Sequence, residues 1–200
     1  MITLYSGTPG SGKSLHTAQV IYNRLRFQKP VIANFNIALS KIKKSRDCDF
    51  ISIDNTELTP QFLRDYSKEY FKNHKFKEGS IMLVLDECQL IFNAREWNVK
   101  GRSEWLGFFT NHRKYGFDIL LIAQFDRMID RQIRSVIEYE VIHRKVSNFG
   151  FGGKCLSLAC GGNLFVGVRM WYPLKERIGA DYFKCSKKYY SIYDTFNTFD

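Results

Sequence analysis

The chain has 200 residues, enough for one well-packed core, and its 44% hydrophobic and 25% charged residues exclude a largely disordered chain. The formal net charge of +10 favours polyanionic partners such as nucleic acid or an anionic membrane, with a solvated basic surface as the alternative. Five cysteines without CxxC spacing favour a cytoplasmic setting, and no apolar run reaches the roughly 18 residues of a membrane span. We therefore expect a soluble domain as the chain stands.

The first predicted elements are a strand, a glycine-rich loop and a helix. A short apolar run at residues 2–5 is followed by glycines, and apolar residues then recur at helical spacing over residues 15–25. The helix should end by Gln28, because Pro30 restricts the conformation of the residue before it. Residues 31–33 are predicted to form a second, buried strand.

The middle of the chain continues this alternation. A basic connection over residues 34–49 leads to a brief strand at 50–53, and Thr59 and Pro60 are an N-cap and a first helical residue. Residues 81–85 form a continuous apolar run, which is typical of a strand that is covered on both faces.

A third helix and another buried strand follow. Ser103 is the predicted N-cap, basic residues occupy the last turn at 112–114, and Gly116 ends the helix before a strand at 119–123. Helices that alternate with buried strands predict a parallel sheet, which binds its ligands at the carboxyl ends of the strands.

The last third of the chain has a different pattern. Three segments after residue 135 are predicted to be strands, at 136–146, 155–159 and 163–171. Gly161 and Gly162 are expected to join the last two as a hairpin. We interpret this region as an antiparallel extension.

The glycine loop carries the strongest functional signal. Its sequence GTPGSGKS fits the pattern GxxxxGK[ST], in which backbone N–H groups surround phosphates, Lys13 reaches the β and γ oxygens and Ser14 binds Mg²⁺. The alternative is a flexible glycine turn with a surface lysine, but the position between a strand and a helix favours a phosphate site. The expected ligands are ATP and Mg²⁺. The residues predicted to contact the nucleotide are Gly7, Thr8, Pro9, Gly10, Ser11, Gly12, Lys13, Ser14 and Leu15.

Three polar residues follow the buried strands. Asp86 should emerge at the edge that faces the loop and organise Mg²⁺, whereas Glu87 would polarise the attacking water. The alternative is that Asp86 and Glu87 are simply two acidic residues at the start of a surface loop. Gln124 ends the next strand and should lie beside Glu87, where it would hold the water or sense the γ-phosphate, unless it is simply a polar residue at a strand end.

The sequence pattern alone does not identify which arginine would stabilise the charge of the transition state. The candidates are six of the arginines that follow the acidic pair: Arg95, Arg102, Arg113, Arg127, Arg131 and Arg134. We take Arg134, in the cluster at 127–134, and Arg113 as catalytic candidates that a neighbouring copy would donate. The alternative for the cluster at 127–134 is a solvated helical face, and the alternative for Arg113 is a cation that stabilises a helix C-terminus. Three histidines show no ligand spacing and are expected to be core or surface residues: His16, His74 and His143.

The motifs together predict an α/β fold of the P-loop NTPase class, with a mainly parallel sheet flanked by helices and a C-terminal antiparallel β extension. We expect a single domain over residues 1–200. Its nucleotide-binding core would span 1–135, and the β-rich extension at 136–200 would pack on it.

Four segments carry a family resemblance: GTPGSGKS, LVLDE, NHRKYGFDILLIAQ and YDT at residues 193–195. With these segments the chain resembles the zonular occludens toxin family, which includes the assembly ATPase of filamentous phages. The resemblance implies the nucleotide-site roles given above for Lys13, Ser14, Asp86, Glu87 and Gln124. It does not imply toxin activity.

The resemblance also implies a setting. Such a protein is an ATPase on the cytoplasmic face of the bacterial inner membrane that helps to extrude single-stranded phage DNA while coat subunits assemble. Its partners would be further copies of itself, coat and export proteins, and the membrane through a segment that these 200 residues lack.

Two other functions remain open at this point. A nucleotide kinase would use the same loop, but Glu87 has little use in phosphoryl transfer to a second nucleotide, and no arginine-rich lid is evident. The other is a scaffold that binds ATP without hydrolysing it. A GTPase is disfavoured because no NKxD-type run is present.

Overall fold

Eight strands form one sheet in the computed structural model, which describes residues 1–42, 49–94 and 101–192. The order across the sheet is β3-β2-β4-β5-β1-β6-β7-β8. The strands are β1 (Ile2–Ser6), β2 (Val31–Ala33), β3 (Phe50–Ser52), β4 (Ile81–Leu85), β5 (Phe117–Ile122), β6 (Tyr139–Lys145), β7 (Leu164–Trp171) and β8 (Glu176–Lys184). The first six run parallel, and β7 and β8 are antiparallel to their neighbours. The predicted fold class is confirmed.

Helices cover both faces of the sheet. They are α1 (Lys13–Arg26), α2 (Pro60–Asn73), α3 (Arg102–Asn111), α4 (Arg131–Arg134), α5 (Gly150–Ala159) and α6 (Lys187–Tyr190). Phe108 and Phe109 of α3 are fully buried on one face, and Ile21 and Leu25 of α1 belong to the cluster on the other. Two covered faces explain why β4 is apolar at every position. Within the described residues, no helix combines the length and the apolar character needed to cross a bilayer.

Several predicted boundaries are confirmed. Helix α1 ends at Arg26, ahead of Gln28. The side chain of Thr59 accepts a hydrogen bond from the N–H of Phe62, so it caps α2 as expected.

The start of α3 differs from the prediction. Gly101, with φ 96°, occupies the N-cap position, and Ser103 lies inside the first turn. A left-handed conformation favours glycine, so the chain enters the helix two residues earlier than a serine cap would allow. Gly116, with φ 73°, ends the short 3₁₀ turn after α3, in agreement with its predicted role as a stop.

Two predictions about the last third are wrong. Strand β6 pairs parallel with β1, so the antiparallel part of the sheet begins only at β7. Residues 155–159 are helical, because Gly161 and Gly162, at φ 88° and 87°, end a helix rather than turn a hairpin. The N–H of Gly162 bonds the carbonyl of Ser157 at 2.7 Å, which is the closing bond of a Schellman motif. The observed hairpin joins β7 to β8 through residues 172–175.

Candidate nucleotide-binding site

The loop after β1 needs glycine at both of its fixed motif positions. Gly7 has φ 139°, and a Cβ there would lie 2.6 Å from the carbonyl oxygen of His143. Gly12 has φ 97°, and a Cβ there would lie 2.7 Å from the ring of Phe165. The loop is therefore packed tightly against β6 and β7. Gly10 has open space around it and needs glycine only for its φ of 73°.

Helix α1 begins at the end of this loop with unused hydrogen-bond donors. Gly12 provides no side-chain cap, and the first turn contains no acidic residue. The first amides of any helix lack partners within the helix, so those of Lys13, Ser14 and Leu15 point out of its N-terminus. The buried hydroxyl of Ser11 also has no hydrogen-bond partner within the described part of the chain. Donors and the positive end of the helix dipole together suit a phosphate group.

Lys13 lies folded over the loop. Its Nζ donates to the carbonyl oxygens of Gly7 at 2.6 Å and Thr8 at 3.3 Å. Burial lowers the pKa of this ammonium group, while the charges of Glu87 and Asp86 act in the opposite direction. Both carboxylates are thus within electrostatic range of Lys13, although they come from a distant part of the chain.

The backbone of Asp86 is fixed by a residue that sequence analysis did not identify. Asn34, directly after β2, donates from Nδ2 to the Asp86 carbonyl at 2.9 Å and accepts from the Asp86 N–H at 2.7 Å. The Asp86 carboxylate accepts the N–H of Glu87 at 2.8 Å. The only available signal was that Asn34 is a polar residue after a buried strand of the same sheet.

Glu87 adopts the left-handed conformation, with φ 45° and ψ 44°, and its side chain is exposed. This conformation is uncommon outside glycine, and such residues cluster at functional sites. The amide of Gln89 donates to its carboxylate. The acid therefore stands on the surface at the carboxyl end of β4 with one carboxylate oxygen oriented by a neighbour.

The strand order separates the loop from the acidic pair by one strand. Strand β5 lies between β1 and β4, and neighbouring strands are about 4.8 Å apart, so the two strands stand about 10 Å from each other. Gln124 follows β5, and its carbonyl accepts the N–H of Gly7 at 3.0 Å. Its side chain lines a cleft of about 420 Å³ that also contains Gly7 and Thr8. Gln124 thus lies just past the carboxyl end of β5, the strand between the two halves of the site.

The arginines occupy different parts of the molecule. Arg113 precedes β5 and forms an ion pair with Glu138, just before β6. Because both strands run parallel to β1, this pair is at the opposite edge of the sheet, and Arg113 does not reach the loop of its own chain. Arg102 forms an ion pair with Asp130 at 2.6 Å.

Three of the other arginine candidates follow β5 in the chain. Arg134 is half-buried on α4, and its Nε is buried without a hydrogen-bond partner among the residues described. Arg127 and Arg131 are exposed. Arg95 and the YDT segment at 193–195 lie outside the described residues.

Two of the histidines meet under the loop. His16 Nδ1 lies 2.8 Å from His143 Nε2, and Tyr5 stacks on His16 with a centroid distance of 4.7 Å. Burial lowers the pKa of His16 to about 4 and, together with the neighbouring charge of His16, that of His143 to about 3. Both rings are therefore neutral at physiological pH. His143 is a buried core residue, as one of the predicted alternatives states, and His16 is half-buried beside it, but no local pattern indicated that they pair.

Residues 1–198 match the family described as Zonular occludens toxin (Zot). The chain belongs to this family. A relative of this chain, the Gene 1 protein of Enterobacteria phage fd, is 28% identical over 97% of this chain, which spans 59% of the length of that relative.

Solved structures support the fold. The N-terminal domain of zonular occludens toxin from Neisseria meningitidis superposes with a TM-score of 0.57 at 20% identity, covering 96% of this chain and 98% of that one. The genome-packaging NTPase B204 of Sulfolobus turreted icosahedral virus 2, solved with ATP-gammaS, gives 0.54 at 16% identity, covering 92% and 97%. At these identities the likeness shows a shared P-loop NTPase fold.

Proposed function

We propose that the chain is the ATP-hydrolysing part of a machine that assembles filamentous phage and exports its single-stranded DNA. The observation that carries this proposal is that Lys13, Asp86 and Glu87 lie at the same edge of the sheet, from elements far apart in sequence, and that both acids act electrostatically on Lys13. Membership of the family and the similarity to a phage Gene 1 protein support the assembly role.

In this proposal residues 7–15 hold the triphosphate. The open amides at the start of α1 and the Lys13 ammonium would bind its oxygens, and the buried Ser11 hydroxyl offers a further donor. Ser14 and Asp86 supply hard oxygen ligands of the kind that Mg²⁺ takes alongside water and phosphate. When bound there, Mg²⁺ would neutralise charge on the phosphates.

Glu87 is the proposed general base. It would accept a proton from the water whose oxygen attacks the γ-phosphorus, while ADP departs with the electrons of the broken bond. Its exposed carboxylate stands at the end of β4, about two strand spacings from β1, which leaves room for a phosphate and a water between loop and base. Gln124, just past the end of the strand between them, is suited to orient this water.

The arginine that completes the site is proposed to come from a second copy of the chain. Exposure of Arg127 and Arg131 leaves both side chains accessible to a neighbour, and Arg134 lies on the same segment after β5. Arg113 at the opposite edge is also compatible with donation between copies, since it cannot serve its own loop. We therefore propose a homo-oligomer.

The proposed location is the cytoplasmic face of the bacterial inner membrane, with attachment through a segment outside these 200 residues. The excess of basic residues, which gives the net charge of +10, suits contact with single-stranded DNA. Coat and export proteins of the phage are the proposed protein partners.

A phosphate-release assay tests this function. We expect Mg²⁺-dependent release of phosphate from ATP that increases when single-stranded DNA is added, and no transfer of phosphate to added nucleoside monophosphates. Transfer to the monophosphate would support a kinase instead. Tight ATP binding without phosphate release, with or without DNA, would support a scaffold.

A further inference from the structure

A single lysine joins two acidic side chains near the candidate site. Lys175, in the turn between β7 and β8, places its Nζ 2.9 Å from Glu140 Oε2 and 3.1 Å from Asp126 Oδ2. Its ammonium also lies 3.6 Å from the centroid of the Tyr172 ring, and Tyr172 donates its hydroxyl to Asp126 at 3.2 Å. The C-terminal hairpin is thereby tied to both β6 and the segment after β5.

The two segments that Lys175 contacts, β6 and the residues after β5, both help to position Gly7. Glu140 accepts the hydroxyl of Ser6, the residue before Gly7, at 2.7 Å. Asp126 follows Gln124 by two residues, and the Gln124 carbonyl accepts the Gly7 N–H at 3.0 Å. The ammonium of Lys175 therefore connects the two segments that hold Gly7, the first glycine of the loop. It contacts one segment through Glu140 and the other through Asp126.

The two carboxylates share a cleft with the loop, since Glu140, Asp126, Gly7 and Thr8 all line it. Glu140 is buried, so its charge requires a close cation. Burial would raise the pKa of Asp126, but the hydrogen bond and charge of Lys175, the Tyr172 hydroxyl and the charge of Arg134 together hold it below its usual value.

The backbone of Lys175 indicates that this arrangement is tightly constrained. Its φ is 54°, a left-handed conformation that is uncommon for a residue with a side chain. The turn could have used glycine there, but only a long cationic side chain reaches both acids.

We propose that Lys175 is a positioning residue for the nucleotide site, which offsets part of the negative charge of Glu140 and Asp126 and so holds the loop in a form that accepts a polyanion. This inference rests on the proposed function, because it takes ATP as the ligand of the loop. Without the ammonium, two carboxylates would remain in the cleft beside the phosphates and repel them.

The test compares ATP binding by the 200-residue chain and its Lys175→Met variant at pH 8 and pH 5.5, each relative to wild type at the same pH. Methionine keeps most of the aliphatic stem over Tyr172 and removes the charge. We expect about tenfold weaker binding at pH 8, because like charges then face the phosphates. Most of the loss should disappear at pH 5.5, because Asp126, without the Lys175 contact that lowers its pKa, then takes up a proton more readily.

Two further variants isolate the charge. Lys175→Arg should bind within threefold of wild type, and the triple variant Lys175→Met, Glu140→Gln, Asp126→Asn should recover most of the loss at pH 8. The matched control is Lys187→Met, which removes the same charge from an exposed lysine of α6 and should bind as wild type does. A purely structural role of Lys175 predicts a loss that is equal at both pH values.

The inference is overturned if Lys175→Met binds as wild type does at pH 8, or if its loss does not depend on pH. If that variant does not fold, the arginine and triple variants decide: binding within threefold by both supports the inference, and failure of the triple variant overturns it. Lys13→Ala, measured alongside, separates the two proposals. Undiminished ATP binding by Lys13→Ala contradicts the proposed nucleotide site. If Lys13→Ala loses ATP binding but Lys175→Met does not, only the inference about Lys175 is overturned.

Discussion

The parallel and antiparallel ends of the sheet differ sharply in burial. All five residues of β4 are buried, and five of the six in β5, whereas only one of the nine residues in β8 is. The chemical groups of the proposed site follow the buried strands, and the hairpin of β7 and β8 reaches that site through Lys175. This contrast indicates that the buried parallel strands provide most of the stability, while the proposed role of the hairpin is to position the loop.

The largest expected effect concerns stability. Phe109→Ala should lower the free energy of unfolding by about 3–5 kcal/mol, because its fully buried ring packs against Phe92 and Trp105. Tyr182→Ala, on the exposed hairpin, should cost less than about 1 kcal/mol. Chemical denaturation of both variants measures the difference, and equal losses would contradict the contrast between the two ends.

ATP binding should depend on one lysine of the parallel end. Lys13→Ala should weaken binding by at least about 100-fold, because the cation expected to reach the β and γ oxygens is lost. Lys184→Ala removes the same charge from the hairpin and is the control, with affinity expected to stay near that of wild type. Equilibrium binding of labelled nucleotide is the measurement. Wild-type affinity in Lys13→Ala would mean that residues 7–14 are not the nucleotide site.

A smaller effect should appear in the dependence of stability on pH. Because the pKa of His16 in the fold is about 4, below its value of about 6.5 in the unfolded chain, the unfolded state binds more protons between these values. Stability should therefore fall as pH drops from 6.5 towards 4, by about 1.4 kcal/mol per pH unit for this histidine.

The variant His16→Gln should show a shallower fall over the same range than wild type. His74→Gln, which removes an exposed imidazole at the end of α2, provides the matched control. Urea unfolding at several pH values provides the data. A slope that His16→Gln does not alter would show that the imidazole pair is not buried in its neutral form.

The smallest expected signal is recovery of activity on mixing two inactive variants. Lys13→Ala chains can donate arginines but not bind ATP, and chains with Arg127, Arg131 and Arg134 all changed to alanine can bind ATP but not donate. If the arginine acts between copies, their mixture should regain part of the wild-type rate, and wild-type activity per molecule should rise with concentration. Constant specific activity together with no recovery would show that each chain hydrolyses ATP alone.

Local sequence patterns predicted the elements whose structure is determined locally. The loop, the Thr59 cap and the apolar runs of β4 and β5 are such cases, because glycine, capping chemistry and burial on two faces each leave a signal in adjacent residues. The eight strands form one sheet, which supports our proposal of a single domain over residues 1–200.

The remaining features depend on contacts between residues far apart in the chain. Asn34 with Asp86, His16 with His143 and Lys175 with Glu140 are joined only by the fold, so no spacing could reveal them. Residues 155–159, the second half of α5, were predicted to be a strand because a short apolar segment satisfies either period, and the two glycines after them fit a helix end as well as a hairpin.

The central claim is that Asp86 and Glu87 have separate roles in ATP hydrolysis. The most direct measurement compares Glu87→Gln and Asp86→Asn for ATP affinity, with and without Mg²⁺, and for single-turnover hydrolysis. We expect Glu87→Gln to bind Mg²⁺ and ATP as wild type does but to hydrolyse about 100-fold more slowly, because the base is lost. Asp86→Asn should instead lose the gain in affinity that Mg²⁺ provides. If the two variants fail in the same way, or if Glu87→Gln hydrolyses ATP at the wild-type rate, the account is contradicted.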